Sequence, residues 1–318
     1  MPSPNETLAD HLIVPFASAP GCREALAATA LPTLTRLLND WTPVARHSGD
    51  EYTLTPPHEH ALAQALGWPA RPDGVTPWAA RNAGLPGQPC AWFTPCHWSV
   101  GMEQVTLLPP DGLDLHADES EALLQALAPW AREDGLHLTL ETPLRWRAEG
   151  NALRDLPCAS LDRVAHRRVD AWLPRAEQAP AIPGLLRLQN EAQMLFYTHP
   201  VNDARQARGA LPINGFWISG AGVWDGDAAA APTVLDALRA PALAGDWTAW
   251  TAAWQALDAT LAPWAAAADQ HPRQLTLCGE RGWVRYAPAP RTARRPWWQR
   301  LGLGRPAATN AVTVLEAL

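Results

Sequence analysis

Thr198-His199-Pro200-Val201-Asn202-Asp203-Ala204-Arg205-Gln206-Ala207-Arg208-Gly209, followed by Leu211-Pro212-Ile213-Asn214-Gly215-Phe216-Trp217-Ile218-Ser219-Gly220-Ala221-Gly222, is the stretch on which the reading of this chain turns. It gathers one His, two Arg and two Asn ahead of a strand-like run and a Gly-rich turn. Upstream, Leu185, Leu188, Ala192, Leu195 and Phe196 recur at helical spacing, and His199-Pro200 ends the pattern. His199 is therefore expected at or just past a helix C-terminus. Asp203 is expected to cap a short helical turn that carries Arg205 and Arg208 on one side. Two guanidiniums beside an imidazole make a receptor for phosphate or carboxylate. The same spacing fits two Arg paired to nearby acids, with His199 a cap, and spacing alone does not separate the two readings.

This segment resembles the His-Pro-Val-Asn region of the archaeal-type cofactor-independent phosphoglycerate mutases, members of the alkaline phosphatase superfamily. It is more similar still to a bacterial subgroup, the RpfE-type regulatory proteins, through Asn190-Glu191, Gln193-Met194-Leu195 and Trp217. The likeness is specific over Leu188 to Gly222 and weaker elsewhere, so it speaks to fold more than to activity. It implies an α/β protein with an alkaline phosphatase-like three-layer core and an inserted smaller α+β subdomain. The implied core runs over residues 8–290, interrupted at about 92–173, with a basic aromatic tail at 291–318.

Working outward, His11 to Phe16 reads as a buried strand, and Pro32 suits the first turn of a helix bearing Leu34, Leu37 and Leu38. A helix over His58 to Leu66 is closed by Gly67, and the Pro- and Gly-rich run from Val75 to Ala91 reads as a connector. Asp118 and Glu121 suggest a capping box for a helix from Glu119 to Arg132, flanked by strands at Val105–Leu108 and His137–Leu140. Trp247, Trp250, Trp254, Leu257, Leu261 and Trp264 form one stripe on a helix, which reads as a packing face. Gln274 to Gly279 reads as a late buried strand.

Composition removes several classes of function. All 25 residues counted as Lys+Arg are Arg, so there is no Lys for a P-loop, a kinase or a Schiff base. A net charge of -7 argues against a general nucleic-acid surface. Met1 to Asp10 has no basic signal region, and no apolar run is long enough to span a bilayer; a cytoplasmic protein without a transmembrane segment is expected. Five scattered Cys do not suggest a disulfide framework, and Cys90, Cys96 and His97 lack the spacing of a zinc site. Gly220-Ala221-Gly222 lies one residue out of step with Gly226 for a dinucleotide fingerprint and reads as a turn.

Phosphoryl transfer in the resembled family implies two metal ions on Asp and His ligands and a Ser or Thr nucleophile. Where an Asp-Gly metal-binding pair is implied, this chain has Val14-Pro15-Phe16-Ala17-Ser18. His58 stands where the nucleophile is implied, and Glu280-Arg281 where an Asp-His pair is. A guanidinium donates hydrogen bonds and does not ligate a cation. What remains is a ligand-binding group of His199, Asn202, Arg205, Arg208 and Asn214, which needs no metal. The expectation is a non-catalytic or regulatory homologue without a cofactor, binding a phosphorylated small molecule and acting on a protein partner. The alternative is a phosphotransferase that uses His58 and a divalent metal. The Arg291 to Arg300 tail offers a further docking element for a membrane or partner.

Overall fold

A computed structural model describes residues 8–101, 104–175, 177–267, 272–289 and 310–318. The first strand, β1 (His11–Val14), leads through α1 (Arg23–Ala28) and α2 (Pro32–Asp40) to β2 (Trp41–Ser48) and α3 (Pro57–Ala65). Next come α4 (Trp78–Ala83), β3 (Pro89–Val100), β4 (Val105–Leu108), α5 (Ala117–Glu133), β5 (His137–Thr142), β6 (Arg145–Glu149) and α6 (Leu161–Val164). The chain continues through α7 (Ile182–Tyr197), α8 (Pro200–Ala207), β7 (Gly215–Val223), β8 (Thr233–Val234), α9 (Arg239–Ala244), α10 (Trp247–Ala266), β9 (Gln274–Cys278), β10 (Gly282–Pro288) and α11 (Ala311–Glu316). No helix among the described residues is long and apolar enough to cross a membrane.

The described residues form a mixed α/β protein with two sheets, divided between two units. The first comprises 1–51, 57–68 and 227–318, the second 52–56 and 69–226. This division departs from an insertion at about 92–173. The physical reason is strand pairing: β7 lies antiparallel to β3, from Pro89 opposite Val223 to Cys96 opposite Gly215, which ties the 198–222 stretch to the second sheet. The C-terminal residues Asn310 to Leu318 belong to the first unit, while Arg291 to Arg300 lie outside the described residues.

The first unit is built on a sheet of order β2-β10-β9-β1-β8, in which β1 runs parallel to both β8 and β9. Alternation along β1 decides the layering. Leu12 and Val14 point into a core shared with α1, α2, α10 and α11, whereas Ile13 packs with Ala61 of α3, Cys278 and Trp283 on the opposite face. A strand buried on both faces is the signature of three layers. The Trp stripe of α10 is the packing face its spacing indicated. Its buried indoles also need acceptors: Trp250 and Trp254 donate to the carbonyls of Phe16 and Ala17, and Trp264 to that of Ala9. Asp258 of the same helix accepts from the N–H groups of Thr33 and Leu34, capping α2, whose own N-cap is Leu31.

The second unit has an antiparallel sheet of order β4-β3-β6-β5, with β7 along the other side of β3. Ala91 and Phe93 face α5 and α7; Cys90 faces α4. The run read as a connector thus supplies both α4 and the start of β3, because Trp78, Ala79 and Ala80 are buried. Gly220 and Gly222 are interior to β7 instead of forming a turn. Gly220 has φ +65 and a Cβ there would lie 2.9 Å from the Trp92 ring, so the glycine admits that indole.

Candidate functional site

Residues 198–209 divide by exposure: Asn202 and Arg205 are buried, while Asp203, Gln206 and Arg208 face solvent. Arg205 is fully buried on α8 and makes four donations: Nε to the carbonyl of Leu211, Nη1 to that of Asp114 and to Glu119, and Nη2 to that of Leu113. Arg208 reaches both oxygens of the same Glu119 at 2.5 and 3.1 Å. Glu119 sits at the start of α5, where it also accepts from the N–H of His116, the N-cap. The capping glutamate is therefore Glu119, two residues before the one expected. Burial pushes its carboxyl up, but hydrogen bonds from Arg208, the His116 N–H and Arg205 outweigh that and hold it at about 2. Asp114, in left-handed conformation with φ 46, turns its carbonyl toward both guanidiniums.

The remaining members of the predicted group are fasteners as well. Asn202 is buried; its amide donates to the carbonyls of Phe196 and Ile213 and its oxygen accepts from the Ile213 N–H. Asn214 exchanges a donor and an acceptor with the backbone of Trp98. His199 lies just past the end of α7, which closes at Tyr197 with Thr198 as C-cap; it is also the N-cap of α8, and its Nδ1 accepts from the Val201 N–H at 3.2 Å. Asp203 falls in the first turn of α8 instead of capping it. His97 Nδ1 donates to the carbonyl of Pro212 at 2.7 Å. Together these bonds pin the Gly209–Asn214 connection between α8 and β7 to α5 and β3. Within the group expected to bind a phosphorylated ligand, Asn202 and Arg205 are buried and bonded to groups of the fold itself.

Polar chemistry with access to solvent gathers in the first unit, at the carboxyl ends of β1 and β9. In open α/β sheets that edge is where ligands bind. The chain leaves β1 through Pro15-Phe16-Ala17-Ser18, and Phe16 holds a left-handed φ of 54. That strain is held by three bonds: the Ala17 N–H donates to Cys278, and the carbonyls of Phe16 and Ala17 accept from Trp250 and Trp254. His58 of α3 lies against the Phe16 ring, centroids 5.2 Å apart. Beyond the turn opens a cavity of about 640 Å³ whose lining includes Ser18, Arg23, Glu51, Glu280, Arg281 and Glu316. That volume is in the range of small-molecule sites. Sequence reasoning used Arg281 only as a missing metal ligand. The signal available for the rest was the general rule on strand ends, together with Gly21 and Gly279 in the flanking turns.

At these strand ends the turns present Phe16, Ala17 and Arg281, and neither apolar side chains nor a guanidinium ligate a cation. Among the described residues, no group of three or more His, Cys, Asp or Glu is placed to hold a metal ion. Other polar side chains have local partners: His60 accepts from the Trp283 indole, Asp227 from that of Trp68, and Asp225 pairs with Arg71. All five cysteines are buried free thiols; burial pushes Cys90 up to about 11 and Cys96 and Cys278 higher still.

No family pattern matches the chain, and no curated protein does. Among solved structures, it is similar to a cofactor-independent phosphoglycerate mutase from Thermoplasma acidophilum, with 13% identity, 89% of this chain and 90% of that one covered, and a TM-score of 0.34. It is also similar to the PH0037 protein from Pyrococcus horikoshii, with 11% identity, coverage of 88% and 87%, and a TM-score of 0.44.

Proposed function

We propose that this chain is a non-catalytic, regulatory homologue of the cofactor-independent phosphoglycerate mutases, of the RpfE-type bacterial subgroup. Its alkaline phosphatase-like core is the first unit, and its ligand site is the cleft at the carboxyl ends of β1 and β9. The observation that carries this reading is the turn after β1. Where phosphoryl transfer in the resembled family calls for a metal-binding carboxylate, Phe16 presents a buried ring on a backbone fixed by Cys278, Trp250 and Trp254. The cleft keeps groups suited to recognition: a hydroxyl, two guanidiniums and three carboxylates. The resemblance favours a phosphorylated small molecule as ligand. The lining of the cleft by Arg281 supports that residue as the one that meets the ligand, since Arg205 and Arg208 are engaged by Glu119. Action on a protein partner and a cytoplasmic location belong to the same reading.

Calorimetric titration of 3-phosphoglycerate, with and without added magnesium or manganese, tests it. Binding without metal, lost in Arg281→Ala and kept in Arg208→Ala, is the expected result. Metal-dependent mutase turnover by the pure protein refutes it. One observation favours a second reading: His58 lies beside Phe16 at the end of β1, where an imidazole nucleophile would belong. That phosphotransferase reading requires an acid-labile phosphoprotein that disappears in His58→Ala, and unchanged labelling of the variant rejects it.

A further inference from the structure

At the turn between β9 and β10, two successive backbone N–H groups converge on one oxygen. Arg281 and Gly282 donate to the backbone oxygen of Leu318 at 2.8 and 3.0 Å. Consecutive N–H groups aimed at a single acceptor form an anion-binding concavity. Two residues earlier Glu316, at the end of α11, sets its carboxylate 3.2 Å from Nε of Arg23. Residues 310–318 therefore offer one backbone oxygen and one carboxylate to three donors on the rim of the cleft.

Gly279 is what lets the segment lie there. A Cβ at this position would meet Leu318 Cβ at 2.5 Å, the Leu318 carbonyl carbon at 2.7 Å and Ser18 Oγ at 2.4 Å, all below any real contact distance. Ala311, Leu315 and Leu318 anchor the segment in the core of the first unit. On its solvent side the segment borders two open clefts, of about 640 and 820 Å³, and Leu318 lines both.

We propose that residues 310–318 are a built-in occupant of an oxyanion-accepting site at the carboxyl end of β9. The N–H groups of Arg281 and Gly282 and the guanidinium of Arg23 hold the segment, and a carboxylate or phosphate ligand binds by displacing its end. The inference rests on reading the cleft as the ligand site and adds that the site regulates itself.

The test uses the full chain, with inorganic phosphate and, separately, acetate as probes. Binding is read by calorimetry, and the amides of residues 311–318 by hydrogen exchange. Saturating phosphate accelerates exchange of these amides in the wild type. Glu316→Ala, which removes an exposed ion pair, binds the probe about threefold more tightly, the scale of such a pair. Gly279→Ala exchanges fast without any probe and gains more affinity than Glu316→Ala. Acetate acting as phosphate does marks a carboxylate site; phosphate acting alone marks a phosphate site. Probe binding that leaves exchange at 311–318 unchanged overturns the inference while keeping the cleft as a ligand site. No probe binding in the wild type or either variant overturns it too, and the 3-phosphoglycerate titration then judges the cleft separately. If Gly279→Ala does not fold, Glu316→Ala decides alone.

Discussion

Replacing Glu119 by Gln tests whether the conspicuous Arg pair is a fastener or a receptor. The substitution keeps the shape of the side chain and removes the charge that Arg205 and Arg208 share. Arg205 is fully buried, so its guanidinium would be left with carbonyl partners and no counter-charge. Breaking a buried pair from one side costs about 3–5 kcal/mol. A second route gives a compatible figure. A carboxyl at about 2 in place of 4.5 corresponds to about 3.4 kcal/mol, and screening around the part-exposed Arg208 lowers that to roughly 2–3 kcal/mol. With a urea dependence of about 2 kcal/mol/M, a loss near 3 kcal/mol moves the unfolding midpoint of the second unit down by about 1.5 M. Hydrogen exchange read on peptides covering 117–133 and 200–214 assigns the loss to this unit. The folded value lies below the unfolded one, so the contribution is present above pH 4.5 and is lost as pH falls toward 2. Glu119→Gln should flatten stability in that window. A midpoint shift below about 0.3 M, with protection unchanged and phosphoglycerate binding abolished, would falsify the fastener argument and restore the receptor.

Three further outcomes follow from the geometry. Asp258→Ala removes the acceptor for two N–H groups at the start of α2 and should cost about 1–2 kcal/mol, seen as faster exchange at Thr33 and Leu34. Burial, and to a lesser extent the charge of Arg285, lowers His11 from 6.5 to about 4, so the unfolded chain takes up this proton first as pH falls. Stability of the first unit should therefore be complete above pH 6.5 and decline between 6.5 and 4, by up to about 2 kcal/mol after allowance for solvent screening; a His11→Asn variant with an undiminished decline would refute the assignment. Gly220→Ala forces a left-handed residue against the Trp92 ring and should destabilise the second unit by at least about 1 kcal/mol, measured by thermal unfolding.

The parts of this fold legible in sequence are those whose pattern is local. The apolar run of β1, Pro32 at the head of α2, the Trp stripe of α10 and the strand at Gln274–Cys278 all follow from periodicity and capping within a few residues. Val75 to Ala91 has the composition of a connector, yet its Pro and Gly flank a short helix and open a central strand, because burial by distant residues decides the structure there. The boundary of the second unit depends on β7 crossing to β3, more than a hundred residues earlier in the chain, which no local pattern encodes.

The candidate site shows the same limit in sharper form. Arg205 and Arg208 lie three apart, and that spacing serves a phosphate or a carboxylate equally well; the deciding residue, Glu119, lies 86 and 89 positions away. A carboxylate supplied by the fold and one supplied by a ligand are the same chemistry to a guanidinium, so sequence reveals the demand for an anion and leaves open who meets it. In the first unit the same ambiguity recurs at Arg23, met by Glu316 from the segment after residue 310. The two cases differ in burial. Glu119 and Arg205 are closed off from water, so exchange of partners there requires unfolding, whereas Arg23 is 86% and Glu316 36% exposed and can trade partners at low cost. Exposure, more than residue type, therefore separates the fastener from the candidate receptor, and it directs the search for a ligand to the carboxyl ends of β1 and β9.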